Sequence, residues 1–163
     1  MTMQETTNAA SKQDGIALPR QDVTSVETSA PSSEQETRAY AFAERMVDRL
    51  GIRPTFNGRK YLVYAVVCCI QEPSMLDLLT KELYPKIGRR YTTSSQCVER
   101  SIRHAISEAW SSLGTNTSRW CNIFEPFGAF RENVKPPAGE LIAMLAILYR
   151  NAEIQAALDS GNL

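Results

Sequence analysis

Histidine is almost missing from this chain: His104 is the only one in 163 residues. No Cys/His or Ser/His/Asp constellation can therefore be built around any other imidazole. On a helix His104 neighbours Arg100 and Cys97, and Glu108 is the carboxylate one turn on. Phosphate-cradling loops, dinucleotide fingerprints and calcium-loop patterns are missing too. An enzyme is not expected, and neither a catalytic residue nor a cofactor is assigned. Cysteine is sparse: Cys68, Cys69, Cys97 and Cys121 match no zinc spacing and no disulfide framework. No metal is expected, and the cytoplasm suits such thiols. No apolar run reaches the length of a membrane span, and the first residues have neither an apolar core nor a basic leader. No internal repeat and no alternating strand pattern is visible.

Net charge is absent as well, with 18 basic and 18 acidic residues. The balance conceals a segregation along the chain. Residues 1–36 carry six acids against two bases, whereas residues 81–104 carry six bases against two acids. The first 36 residues are rich in Ser, Thr, Gln and Glu and have no sustained apolar period, so a disordered polar tail is expected there.

What the chain does have is helical periodicity. TRAYAFAERMVDRLG places Ala39, Phe42, Ala43, Met46, Val47 and Leu50 on one face, with Gly51 as a stop. Pro54 and Asn57-Gly58 mark a loop, and GRKYLVYAVVCCIQE follows as an apolar central helix ending at Glu72-Pro73. A helix capped by Ser74 is expected from about Met75 to Thr80, with a new start at Tyr84-Pro85. SRWCNIFEPFG reads as a short helix, and Pro136-Pro137 opens a last one, AGELIAMLAILYR. The expected fold is all-α: a compact bundle of about six helices. Residues 37–152 form the domain, residues 1–36 the leading tail and residues 153–163 a second, C-terminal tail. Glu44 and Asp48, a turn apart, read as a solvated face.

The most informative stretch is TTSSQCVERSIRHAISEAWSSL, residues 92–113. Val98, Ile102, Ala105, Ile106, Ala109 and Leu113 cluster on one side of a helix expected from Thr93 to Leu113. Thr93 and Gln96 fit a capping box, and Gly114 fits a stop. Gln96, Arg100, Arg103 and Ser107 line the opposite side, flanked by Glu99, Cys97 and His104. Arginine can grip guanine O6 and N7, glutamine can pair adenine, and glutamate can accept from the cytosine amino group. Two readings stand for this face: an ordinary solvated surface, or a head that reads base edges. Upstream, LYPKIGRRYTT supplies a small residue, Gly88, then a polar turn and the anchor Val98. That order is what a helix-turn-helix needs.

VERSIRHAISEAW, with LTKELYPKIGRRYTT before it and KPPAGELIAMLA after it, resembles the C-terminal effector domain of the stage 0 sporulation response regulator. The likeness spans about Leu50 to Tyr149 and is densest from Thr80 to Trp110. It implies an all-helical unit that binds double-stranded DNA and regulates transcription in sporulation. Its reading positions carry over to Glu99, Arg100 and Arg103, with His104 retained and Gln96 beside them. Phosphate contacts would come from Lys81, Lys86, Arg89 and Arg90, and from Thr92, Thr93 and Ser94. Lys135 resembles a further basic position near DNA. The family reads a box resembling TGTCGAA, often in tandem copies bound by adjacent protomers, so a homodimer on tandem sites is implied. An RNA polymerase sigma factor is a further implied partner. The family also places a receiver domain ahead of the effector, which 36 polar residues cannot contain, so phosphorylation control of that kind is not expected. Two positions depart from the pattern: Cys97 stands where better-known members have arginine, and Ser111–Phe130 diverges in the segment associated with sigma factor. A protein-interaction module or antagonist, pairing with a full-length regulator or RNA polymerase, is the alternative reading.

Overall fold

The computed structural model describes residues 33–128, 130–131 and 133–161. Among these residues six α-helices form the framework: α1 (Ser33–Arg49), α2 (Asn57–Gln71), α3 (Tyr84–Arg90), α4 (Ser95–Ser111), α5 (Ser118–Phe124) and α6 (Ala138–Asp159). No strand occurs among the described residues. Residues 33–36 of the expected tail form the first turn of α1, where Glu34 and Glu36 meet the positive end of the helix dipole. The remainder of that tail lies outside the described residues.

Helix α2 is the centre, packed against α1, α4 and α6. Ten of its fifteen residues are buried, so it is apolar nearly all round rather than amphipathic. Asn57-Gly58, read from the sequence as a loop, is instead its first turn. Helix α1 ends as expected at Gly51 (φ 77°). There Gly51 N–H donates to Asp48 O and Ile52 N–H donates to Val47 O, which satisfies two terminal carbonyls. Glu44 and Asp48 are not merely solvated. Arg59, whose side chain is 12% exposed, donates to Glu44 at 2.6 Å, to Asp48 at 2.7 Å and to the Ile52 carbonyl at 3.2 Å. That one side chain ties the end of α1 to the start of α2.

Between α2 and α3 the expected helix from Met75 to Thr80 is replaced by a 3-10 turn at Pro73–Leu76 and a π-helical turn at Leu79–Leu83. The π-turn runs straight into α3, with Tyr84 N–H reaching back to Leu79 O. Pro85 has no N–H to donate and its ring crowds the preceding turn, so a widened turn lets the helix pass without a break. Ser74 caps nothing; its hydroxyl bonds Glu72.

Helix α5 is held by Trp120, whose buried indole N–H donates to Leu50 O at 3.1 Å and whose ring meets Trp110 edge-on at 5.2 Å. Helix α6 buries Leu141, Ile142, Met144, Leu145, Ala146 and Tyr149. It continues to Asp159, so residues 153–159 are helix and not tail; Ala, Glu, Gln and Leu there all favour helix. At 22 residues, with an 18-residue stretch whose mean hydropathy is 1.3, α6 is long and apolar enough to cross a membrane by length and composition, contrary to the sequence reading. Its apolar first half packs on α2, α1 and α4, which accounts for that composition.

Candidate nucleic-acid interface

Helices α3 and α4 are joined by a turn at 91–94. Tyr91 N–H bonds Ile87 O at 3.0 Å, and Thr93 N–H bonds Gly88 O at 2.9 Å. Thr92 takes a left-handed backbone (φ 53°), uncommon for a β-branched residue. Gly88 is required here: a Cβ would lie 2.6 Å from Thr93 O. The small residue thus lets the turn fold back onto α3. Because the turn occupies Thr93, the cap falls one residue later than the expected Thr93–Gln96 box. Ser94, in extended conformation, accepts the Cys97 N–H at 3.1 Å. Accordingly α4 covers Ser95–Ser111 rather than 93–113, and the chain turns away at Gly114 (φ 58°).

The two faces of α4 separate as the periodicity implied. Val98, Ile102, Ala105, Ile106 and Ala109 are buried. Gln96, Cys97, Arg100, Arg103, His104 and Glu108 are exposed, with Glu99 and Ser107 half-buried. Arg103 donates to Glu99 at 3.3 Å across one turn, with the two side chains 62% and 42% exposed. The pair is solvent-screened and reorganises at little cost. His104 is not isolated: its ring meets Phe56 edge-on at 5.4 Å. On the other flank Lys135 donates to Ser107 at 2.7 Å, which brings that basic residue onto the same helix face. Between Lys135 and α4 lies a groove of about 290 Å³ lined by Tyr84, Glu99, Arg103 and Pro136-Pro137. The Tyr84 hydroxyl beneath it is pushed up by burial and by Glu99, against the opposing pull of Arg103.

The expected phosphate contacts divide. Lys81, Arg89, Thr92 and Ser94 are exposed, and Thr93 is half-buried in the turn. Arg90 is exposed too and Lys86 is half-buried; both lean toward α2, where their charges oppose the burial that raises the Cys68 thiol. Arg90 stacks its guanidinium 4.6 Å from the centroid of Tyr64 and 5.9 Å from that of Tyr91. Lys60, on α2, lies over Tyr61 at 5.4 Å and over Tyr91 at 5.5 Å. It was not among the expected contacts. Nothing local marks it, because its neighbour Tyr91 is remote in sequence and only the packing of α2 on α3 brings them together.

This arrangement has what base reading requires: a helix anchored by one face, a clustered polar face with two arginines and a carboxylate, and a tight turn leading in. Residues 43–148, about two-thirds of the chain, match the family described as sporulation initiation factor Spo0A C terminal.

Proposed function

The chain belongs to the sporulation initiation factor Spo0A C-terminal family, a family of DNA-binding transcription regulators of sporulation, and from that premise we propose that α4 reads a short box through the major groove. The observation that supports this reading most is the exposed Gln96, Arg100 and Arg103, with the half-buried Glu99 among them, on a helix whose other face is wholly buried. In this reading Arg100 and Arg103 grip guanines, and Glu99 releases Arg103 to accept from cytosine N4. Gln96 and His104 extend the contact at either end. The exposed Lys81 and Arg89, with the hydroxyls of Thr92, Thr93 and Ser94, hold the backbone and set the register. The box resembles TGTCGAA, adjacent protomers occupy tandem copies, an RNA polymerase sigma factor is the protein partner, and the cytoplasm is the compartment.

Selection of bound sequences from randomised duplex DNA tests the reading. One enriched box is expected, bound about 10³-fold or more tighter than random duplex at equal salt. Arg100→Ala should then lower discrimination at one guanine by about 1–3 kcal/mol, without moving the melting temperature, because the side chain is exposed. Enrichment of no sequence, together with unchanged discrimination in Arg100→Ala, would favour the protein-interaction reading.

A further inference from the structure

The first turns of α2 rim the same surface as α4. Phe56 meets His104, and Gly58 lies so close to Ser101 and Ala105 that no Cβ would fit. Burial raises the Tyr61 hydroxyl, with a smaller contribution from Cys97, which lies close enough to interact with it. The N-terminal part of α2 therefore runs along the Cys97–His104 flank of the reading face. From this rim Lys60 reaches over Tyr91, the residue that opens the turn into α4. Arg90 reaches the same ring from α3. Two cations from different helices thus share one tyrosine. Neither has a carboxylate partner among the described residues, where the only ion pairs are those of Arg59 and Arg103. Two exposed like charges near one aromatic ring, without a counter-charge among the described residues, make a basic spot that favours an anion.

We propose that Lys60 and Arg90, aligned on Tyr91 and Tyr64, clamp the DNA backbone where it passes the N-terminal end of α4. The proposal rests on the reading of α4 as the groove helix and adds a contact from α2 to it. The tyrosine faces restrict where each cation can go, so less side-chain freedom is lost when phosphate arrives. Each phosphate neutralised releases counterions condensed on the duplex, which makes the contact visible in the salt dependence of binding. A backbone contact carries no base information, so the clamp governs affinity and register and not sequence preference.

The test titrates the full chain against the selected duplex and a scrambled one across a range of salt. Lys60→Gln should flatten the slope of log K against log salt by about one unit. It should weaken both duplexes by the same factor, leaving their ratio and the melting temperature unchanged. Lys60→Arg should retain the wild-type slope. Arg45→Gln, on the exposed side of α1, should also retain it. A wild-type slope in Lys60→Gln would overturn the clamp while leaving the α4 reading intact. Equal flattening by Arg45→Gln would overturn it too, by showing an effect of net charge alone. If the wild-type chain binds neither duplex at low salt, the groove reading fails and the clamp falls with it.

Discussion

Gly58 shows how one residue can set how closely α4 packs on α2. A Cβ there would stand 2.0 Å from the Ser101 carbonyl oxygen and 2.9 Å from the Ala105 methyl. Alanine would gain about 1 kcal/mol of helix propensity over glycine. It would meet a backbone atom that no rotamer change can move, and such overpacking costs about 1–3 kcal/mol. The clash is with backbone and is severe, so the steric effect wins and Gly58→Ala should lower stability by up to about 2 kcal/mol in chemical denaturation. A stabilised variant would show that α2 and α4 are not in close contact. Asn57-Gly58 looked like a loop because turn preference is local, whereas its actual use depends on a helix far along the chain. Glu44 and Asp48 do lie on a solvated face, but their ion-pair partner was illegible for the same reason: Arg59 lies across the α1–α2 connection. Cys97, by contrast, was placed correctly on the exposed side of α4 from period alone.

Among the elements, α4 was the most legible, because amphipathic periodicity reports burial directly. Its buried face matched, with Leu113 the exception: it lies beyond the helix and is only half-buried. Its start was off because the cap depends on the left-handed Thr92, which no residue preference announces. The π-turn before α3 was invisible for a similar reason: Pro85 signals a break, and only packing shows that the helix widens to pass it. Helix α5 has only seven residues and depends on tertiary anchors, chiefly the bond from Trp120 to the Leu50 carbonyl. Trp120→Phe would keep an aromatic ring there but leave that buried carbonyl without its donor. Such an orphaned group costs about 1–3 kcal/mol. The expected result is a lower urea midpoint by that amount, with faster hydrogen exchange confined to α5 and the end of α1. Unchanged exchange in α5 would mean that the indole bond does not hold it.

At the scale of the whole molecule, the centre of the bundle contains groups that must stay neutral. Burial pushes the Cys69 thiol from 9.0 up to about 12, and burial with the neighbouring Cys68 pushes the Tyr64 hydroxyl from 10.0 up to about 12. Both folded values are raised, so the unfolded chain loses these protons first as pH rises. Their contribution to stability is complete below about pH 9 and is lost progressively up to about pH 12. Urea midpoints should therefore hold steady to about pH 9 and fall steeply by about pH 11. A flat profile across that range would mean that α2 is not packed as described. The all-helical class and the exposed polar face of α4 were legible because both follow from helical period. The cation–tyrosine cluster was not, because it joins α2 to the end of α3, elements apart in sequence. A last consequence follows from the one-sided anchoring of α4. Gln96, Cys97 and Arg100 are exposed and take no part in the core. If α4 reads base edges as proposed, substitutions at these positions would retarget the domain to other operators while the scaffold stays the same, and new specificities would be within reach of single mutational steps.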